Sequence, residues 1–288
     1  MKDQRGPLSS WALYLLVSGV MADLDAFLTV ATEVVREAGS RLRRAASEPQ
    51  RVEHKGAIDL VTETDRAVEA LITEQLRAAF PDHVVVGEEA SAAGGATRPP
   101  DDRFAWYLDP LDGTTNFAHG HPHFAVSLGL ARGGEGLLGL VADPLREETF
   151  VAVRGAGATL NGAPIRVSAA ASLGAALLAT GTPYDRREQA ELYLGVIRDF
   201  MLRSQGIRRA GSAALDLCWV ACGRLDAYWE WRLGPWDVAA GALIVREAGG
   251  AVSDFAGAAH DVFGSETLAS NGRLHAEMLA VLGPHHGR

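Results

Sequence analysis

The sequence predicts a mixed α and β fold, with an antiparallel sheet in its first half and α/β layers in its second half. Two patterns support this prediction. Short apolar strands follow one another closely between Phe104 and Arg154, as they do in antiparallel sheets. From about Ala176 to Leu282, strand-like segments alternate with helical ones, which is typical of α/β layering.

The first half begins with helices. Apolar residues recur at three- and four-residue steps from Leu24 to Leu42, which predicts an amphipathic helix. A second helix is predicted from about Thr64 to Phe80, where Pro81 follows. The stretch 91–102 is rich in Ala, Gly and Pro and is predicted to be a surface loop. The predicted strands of this half are Ile58–Thr62, His83–Gly87, Phe104–Leu108, Phe124–Ala131, Gly136–Ala142 and Thr149–Arg154.

The second half is predicted to alternate between strands and helices. The strands are Ala176–Thr180, Ile207–Ala210, Ala227–Glu230, Ala251–Asp254 and Thr267–Ala269, and the helices are Glu188–Leu202, Ala213–Cys222, Asp237–Ala248 and Arg273–Leu282. No repeat or low-complexity linker separates the halves. We therefore interpret residues 22–284 as a single domain with two lobes, 22–165 and 166–284.

Length and composition are those of an ordinary globular chain. The chain has 288 residues, of which 48% are hydrophobic, and a net charge of −9. This acidic balance disfavours a nucleic-acid partner, because proteins that bind phosphate backbones need a basic surface. The two cysteines, Cys218 and Cys222, are too few for a disulfide framework and are predicted to be buried. A reducing, cytoplasmic location is expected.

The first residues form an apolar leader that we expect to lie outside the fold. Lys2 and Arg5 precede the run Trp11–Val17, which is too short to cross a bilayer, so no membrane partner is expected. The run has the outline of a signal peptide, but no convincing cleavage site follows it. We favour translation from Met21, with residues 1–21 outside the domain. Export is the alternative.

Carboxylates are concentrated where predicted strands end and helices begin. The residues concerned are Asp65, Glu88, Asp109, Asp112 and Asp237. If these side chains converge, cations are needed to neutralise them. Carboxylate oxygens without His or Cys are hard ligands that favour magnesium, manganese or calcium over zinc or copper. We predict magnesium.

The segment that begins at Asp109 also offers a phosphate-binding turn. Pro110 stiffens the turn so that Asp109 and Asp112 point to one region, and Gly113–Thr115 supplies backbone amides at an apparent helix start. An oxyanion cradle beside clustered metals is the combination used for phosphoryl transfer to water. Acidic pairs and Pro- or Gly-containing turns are each common at protein surfaces, so the prediction of phosphoryl transfer depends on their occurring together.

Four motifs together resemble the inositol monophosphatase family of magnesium-dependent, lithium-sensitive phosphatases. They are Asp59–Asp65, Gly87–Glu89, Asp109–Phe117 and Trp236–Gly241, the last closing in Glu247–Gly250. The resemblance implies a layered α-β-α-β-α sandwich, usually a homodimer, that hydrolyses a small phosphomonoester by direct attack of water.

The same resemblance implies a set of metal ligands. Glu88, Asp109 and the backbone carbonyl of Leu111 would hold a first magnesium ion. Asp109, Asp112 and Asp237 would hold a second. A weaker third ion would lie near Glu88 and Asp65, so that two or three ions are expected. Residues 22–165 would thus form the metal and phosphate lobe.

Other residues take catalytic or substrate roles by the same resemblance. Thr114 would orient the attacking water, with Asp65 and Glu88 beside it, and the amides of Gly113 and Thr114 would bind phosphate oxygens. Asp112 and Asp237 also face the substrate. The leaving-group side would be lined by Ala213, within Gly211–Ala214, and by Glu230, which would accept hydrogen bonds from the hydroxyls of a polyol.

Several alternatives stay open. Asp59 either serves the site or braces its loop, and Lys55 either meets phosphate or is solvated. His119, His121 and His123 alternate in a loop, and a zinc site there is disfavoured because no further ligand set accompanies them. The metal motif fits phosphatases of histidinol phosphate, fructose 1,6-bisphosphate or a nucleotide 3′-phosphate equally well. A non-catalytic binding partner in a transcription or RNA complex is the alternative of a different class.

Overall fold

The computed structural model describes residues 20–48, 52–54, 60–91 and 95–288. Two sheets alternate with three layers of helices. Eight helices lie in this part of the chain: α1 (Val20–Ala45), α2 (Glu63–Ala79), α3 (Glu88–Ser91), α4 (Thr114–Ala118), α5 (Ala190–Met201), α6 (Ala213–Ala221), α7 (Pro235–Glu247) and α8 (His275–Leu282). None of the described helices is long and apolar enough to cross a membrane.

A two-stranded ribbon and a seven-stranded sheet belong to the first half. The ribbon pairs β1 (Val52–His54) with β2 (Leu60–Thr62). The sheet follows chain order, with β3 (Val84–Gly87), β4 (Phe104–Asp112), β5 (Ala125–Arg132), β6 (Glu135–Asp143), β7 (Glu148–Val153), β8 (Gly157–Leu160) and β9 (Ala163–Pro164). The predicted antiparallel arrangement is confirmed from β4 onward, but β3 pairs with β4 in parallel. That pair is joined by residues 88–103, a connection long enough for a crossover.

A five-stranded mixed sheet belongs to the second half. Its strands are β10 (Leu177–Thr180), β11 (Gly206–Arg208), β12 (Ala227–Trp231), β13 (Ala251–Ser253) and β14 (Glu266–Ser270), in the spatial order β11-β10-β12-β14-β13. The strand β10 runs parallel to both of its neighbours, and β14 runs antiparallel to its own. The helical connections between β10, β11 and β12 allow the parallel pairs, as the alternating pattern predicts.

Three apolar clusters define the order of the layers. The helices α1 and α2 pack on the outer face of the seven-stranded sheet, with Val35, Ile72 and Trp106 at that contact. The helices α6 and α7 lie between the two sheets. On the far side of the five-stranded sheet, Phe200 and Met278 pack α5 and α8 against it. The layers therefore run α-β-α-β-α, as the resemblance implies.

Glycines allow α7 to lie unusually close to the seven-stranded sheet. A Cβ atom on Gly129 would come within 2.9 Å of the Ala239 Cβ, and one on Gly139 within 2.7 Å of the Ala240 carbonyl oxygen. Any larger residue would push the helix outward. This close approach brings the first turn of α7, with Asp237, toward the carboxyl end of β4.

Some predicted boundaries differ from those observed. The short helix α3 and the strands β8 and β9 were not predicted, since each is too short for a periodic pattern. The helix α1 begins at Val20, before the predicted Leu24. The leader up to residue 19, Lys55 and Asp59 lie outside the described residues.

Candidate active site

Three aspartates from two elements meet at one point. Asp109 and Asp112 lie at the end of β4, and Asp237 lies in the first turn of α7. Each offers a carboxylate oxygen, and the three oxygens lie within 4.8 Å of one another. The convergence predicted for these three residues is therefore present.

A β-bulge explains how two residues three positions apart serve the same site. Asp109 pairs with Ser127 and Asp112 with Ala125, so β4 has one extra residue between these pairs. Residues at i and i+3 of a regular strand point to opposite faces, and one inserted residue brings them to the same side. Pro110 lies in the bulge, where its missing N–H breaks no ladder bond.

Asp109 is almost fully buried among other acids. Its Oδ1 accepts a hydrogen bond of 2.8 Å from the backbone N–H of Leu111. Burial, followed by the charges of Glu88, Asp112 and Asp237, raises the pKa of Asp109 well above its ordinary value. The site is thus strained by like charges as long as no cation is bound.

Asp112 joins the two halves of the protein. Its Oδ2 accepts hydrogen bonds of 2.6 Å from the Ser212 hydroxyl and 2.6 Å from the Ala214 N–H, and its Oδ1 accepts one of 3.3 Å from the Ala213 N–H. The carboxylate therefore caps the start of α6, where free N–H groups and the helix dipole favour an anion. Burial nevertheless raises the pKa of Asp112.

Asp237 is fixed by its own helix start. Its Oδ2 accepts a hydrogen bond of 2.6 Å from the N–H of Gly234, the residue before α7. Ser127 of β5 donates a hydrogen bond of 3.1 Å to the carbonyl oxygen of Trp236, which ties this turn to the sheet. Burial and the charges of Asp112 and Glu88 raise the pKa of Asp237 well above its ordinary value.

Glu88 completes the acidic cluster, and a residue missed by the sequence analysis holds its helix in place. Glu88 is half-buried at the start of α3. The buried carboxylate of Glu69 accepts hydrogen bonds of 2.8 Å from the N–H groups of both Glu89 and Ala90. It fits there because Gly87 has no side chain, since a Cβ would lie 2.6 Å from that carboxylate. Glu69 thus caps α3 and positions Glu88.

Asp65 and Thr114 form a buried pair beside the cluster. Thr62 caps α2, and Asp65 completes a capping box with it, since the Asp65 carboxylate accepts hydrogen bonds from the N–H and the hydroxyl of Thr62. The Thr114 hydroxyl lies 2.9 Å from Asp65 Oδ1 and 3.1 Å from the Leu111 carbonyl oxygen. It donates its one hydrogen to these two acceptors, so a lone pair of its oxygen stays free to accept a hydrogen bond from a water molecule.

The turn after Asp112, predicted from the sequence to bind phosphate, begins at a glycine in the left-handed conformation. Gly113 precedes α4 with a φ of 101°, a left-handed conformation that favours glycine. A Cβ atom there would also lie 3.0 Å from the His123 carbonyl oxygen. Asn116 donates hydrogen bonds to the carbonyl oxygens of His123 (2.7 Å) and Ala210 (2.8 Å), so the turn is anchored to the loop before α6.

Glu230, the acid predicted to face the leaving group, lines the same cavity as the aspartates. It is 8% exposed at the end of β12 and accepts a short hydrogen bond from the Tyr228 hydroxyl. Burial raises the pKa of Glu230 to about 7. Gly181 makes room for it, because a Cβ at that position would overlap the Glu230 carboxylate. Because Glu230 is buried and already accepts one hydrogen bond, a further hydrogen bond from a polar ligand would help to offset the free-energy cost of burying its carboxylate.

These residues line one cavity of about 830 Å³. Its wall includes the predicted residues Glu88, Asp109, Leu111, Asp112, Gly113, Thr114, Ala213, Glu230 and Asp237. Asp65 is the exception, since it does not line the cavity and reaches it only through Thr114. The cavity is also lined by Asp216, Arg186 and Arg209, which carry no sequence motif of their own and were not predicted.

Two of the loop histidines are separated from the third. His119 and His121 are exposed, whereas His123 is buried beside Asp216, with 3.7 Å between His123 Nε2 and Asp216 Oδ1. Burial raises the pKa of Asp216 to about 6.

Of the two cysteines, Cys218 is buried as predicted and Cys222 is half-buried.

Comparisons with known proteins agree with this geometry. The profile of the inositol monophosphatase family matches residues 23–286. The chain belongs to the inositol monophosphatase family. It is a phosphomonoesterase of this metal-dependent family, and both the fold and the acidic cluster agree with that assignment.

Individual relatives extend over nearly the whole chain. An inositol-1-monophosphatase from Synechocystis sp. is 45% identical over 262 residues, which cover 91% of this chain and 90% of the relative. A Nus factor SuhB from Pseudomonas aeruginosa is 44% identical over 266 residues, which cover 91% and 97%. The solved inositol monophosphatase from Anabaena (Nostoc) sp. has a TM-score of 0.81 and 39% identity, and the match covers 91% of this chain and 97% of that one.

Proposed function

We propose that this member of the family is a magnesium-dependent phosphatase of inositol monophosphate or a similar small polyol phosphate. The observation that carries the proposal is the meeting of three carboxylate oxygens within 4.8 Å in a cavity that also contains Glu230. The three carboxylates suit divalent cations, which would in turn bind phosphate, and Glu230 suits hydroxyls.

The donor set fits divalent cations. Asp109, Asp112 and Asp237 would share one ion, and Asp109, Glu88 and the Leu111 carbonyl a second. All of these donors are oxygens, which favours magnesium. The raised pKa values of Asp109 and Asp237 fit this use, since a bound dication would remove the repulsion that raises them. Magnesium in such a site activates water and stabilises the charge that develops on the phosphoryl oxygens.

The protein's own groups bind and orient the reactants. The N–H groups at the start of α4, at Gly113 and Thr114, have no partner within the helix and suit phosphate oxygens. The Thr114 hydroxyl, which donates its own hydrogen to Asp65 or to the Leu111 carbonyl, would accept a hydrogen bond from the attacking water and so orient it. Such positioning lowers the entropy cost of the attack.

The alcohol end of the substrate would lie against Glu230 and Ala213. The Glu230 carboxylate would accept hydrogen bonds from substrate hydroxyls, while Tyr228 holds it in place. This arrangement favours a polyol over an aryl or alkyl leaving group, because a buried carboxylate without a hydroxyl partner loses its solvation.

A phosphate-release panel tests the proposal. Inositol 1-phosphate, histidinol phosphate, fructose 1,6-bisphosphate and a nucleotide 3′-phosphate would be compared with magnesium present and after its removal by EDTA. We expect the highest kcat/KM for the inositol ester and no turnover with EDTA. A tenfold preference for any of the other three would replace the substrate assignment.

Further properties are proposed from the family resemblance and the composition. They are a homodimer, inhibition by millimolar lithium, and a cytoplasmic location. Sedimentation velocity, inhibition assays and cell fractionation test them separately.

A second function is favoured by one observation, the similarity to proteins named Nus factor SuhB. A role in a transcription or RNA complex would then rest on the surface of the protein rather than on its cavity. Turnover that is lost in Asp237→Asn while binding to such a complex persists would show that both roles exist.

A further inference from the structure

A second buried acid lies on the wall of the cavity that is assigned to the leaving group. Asp216 lines the cavity together with Ala213, and both residues belong to α6. Residues three positions apart lie on the same face of a helix, so Asp216 continues the wall that begins with Ala213. Its side chain is 2% exposed, which is too little for a solvated surface charge. The proposed function so far gives this acid no role.

One oxygen of the Asp216 carboxylate lacks a hydrogen-bond donor. The distance from Asp216 Oδ1 to His123 Nε2 is 3.7 Å, which is longer than a hydrogen bond. Within the part of the chain that the structure describes, neither of these buried atoms has a hydrogen-bond partner. A buried carboxylate oxygen without a donor costs free energy, which a ligand in the cavity would recover by donating a hydrogen bond.

His123 holds this carboxylate from outside the cavity wall. Its ring packs edge-on against Trp219, with 5.0 Å between the ring centroids. Its backbone carbonyl accepts a hydrogen bond of 2.7 Å from Asn116, so the residue is fixed on two sides. A carboxylate has acceptor positions on both oxygens, so Asp216 can face His123 with one and a ligand in the cavity with the other.

Asp216 and Glu230 act on the same part of the cavity. Burial raises the pKa of Glu230, and the charge of Asp216 adds to that rise. Burial, followed by the charges of Glu230 and Asp216, also raises the pKa of Tyr228, the residue that donates its hydroxyl to Glu230. The two carboxylates therefore lie close together, one on α6 and the other on β12.

We propose that Asp216 is a second acceptor for the hydroxyls of the substrate, so that Glu230 and Asp216 each bind one hydroxyl of the leaving group. The inference rests on the proposed function and narrows its substrate class to esters whose alcohol carries at least two free hydroxyls. Two acceptors at fixed positions favour such an alcohol, because each missing hydroxyl leaves a buried carboxylate without a donor.

The test compares esters that share a carbon skeleton and a phosphate but differ in their hydroxyls. Inositol 1-phosphate is paired with cyclohexyl phosphate, and glycerol 2-phosphate with isopropyl phosphate. Phosphate release by Asp216→Asn is measured beside that by Asp199→Asn, which removes the same charge at a position that does not line the cavity. Asparagine has nearly the size of aspartate, so the first variant should fold. Asp216→Ser repeats the comparison with a smaller side chain.

We expect Asp216→Asn to lower kcat/KM for each polyol ester about tenfold more than that for its hydroxyl-free partner, mainly through KM. Asp199→Asn should leave both ratios unchanged. The selective loss should persist when Asp216→Asn is combined with Glu230→Gln, because the two acids bind different hydroxyls.

Equal losses within each pair of esters, or no loss, would overturn the proposal, since a structural role of Asp216 affects all four esters alike. A loss that disappears in the Glu230→Gln background would also overturn it, because Asp216 would then act only by positioning Glu230. Absence of wild-type turnover with all four esters would instead contradict the proposed function. The same ratios, measured as calorimetric affinities of the esters, would then decide the role of Asp216.

Discussion

The hydroxyl of Ser212 donates a hydrogen bond of 2.6 Å to Asp112 Oδ2, and this contact joins the two halves of the protein at the candidate metal site. Asp112 ends a strand of the seven-stranded sheet, whereas Ser212 begins the helix that packs against the five-stranded sheet. The position of a proposed metal ligand thus depends on how the two halves pack.

We expect Ser212→Ala to weaken both the fold and the activity. The change removes an N-cap that also bonds Leu215 N–H, and it leaves Asp112 with one donor fewer. The free energy of unfolding should fall by about 1–2 kcal/mol. Urea denaturation and phosphate release would measure the two effects. Ser204→Ala, outside the cavity, serves as the control, and equal activity losses in both variants would refute the link.

Glu230→Gln should change selectivity more than metal binding. The variant loses a charged acceptor for substrate hydroxyls, an interaction worth about 1.5–3 kcal/mol. We expect kcat/KM for inositol 1-phosphate to fall roughly ten- to hundredfold while that for an aryl phosphate changes little. Equal losses on the two substrates would mean that Glu230 supports the metal site or the fold.

Glu230 should contribute a fall in the stability of the metal-free protein as the pH rises from about 4.5 to about 7. Glu230 has a pKa near 7 in the folded protein against 4.5 as its ordinary value, so the folded state binds more protons over this interval. Stability decreases with pH wherever the folded state binds more protons than the unfolded state. Asp216, with a pKa of about 6, acts in the same direction.

Chemical denaturation in EDTA at several pH values checks this dependence. Glu230→Gln should show a shallower decline than the wild type, because glutamine does not titrate. The same pH dependence of stability in the wild type and in Glu230→Gln would contradict the raised pKa of Glu230.

The sequence contained strong signals for the fold and for the proposed metal ligands, for identifiable reasons. The long helix α1 and the alternation after Ala176 follow regular apolar periods. The acids at Asp109, Asp112 and Asp237 lie in compact motifs whose residue types already imply hard cations. Their positions at strand and helix ends were therefore predictable.

The sequence has no comparable pattern that predicts contacts between distant segments. Glu69 positions Glu88 from a neighbouring helix, and in sequence it is one acid among many on a helix surface. Arg186 and Arg209 line the cavity only because residues 181–186 and the loop before α6 lie next to each other in the fold. Sequence spacing cannot reveal pairs that are made by packing.

The central claim is that Asp237 helps to hold a divalent cation that the reaction requires. Asp237→Asn removes one ligand and one buried charge, so the metal-free variant should be at least as stable as the wild type while its turnover is lost. Asp199→Asn, at a half-buried position of α5 that does not line the cavity, controls for the loss of one negative charge.

The most direct measurement follows thermal unfolding and phosphate release together as magnesium is titrated into EDTA-treated protein. We expect magnesium to raise the Tm and restore the activity of the wild type and of Asp199→Asn, and to do neither for Asp237→Asn, since only bound ligand stabilises the folded state. Wild-type turnover in folded Asp237→Asn, or full activity of the wild type in EDTA, would contradict the account.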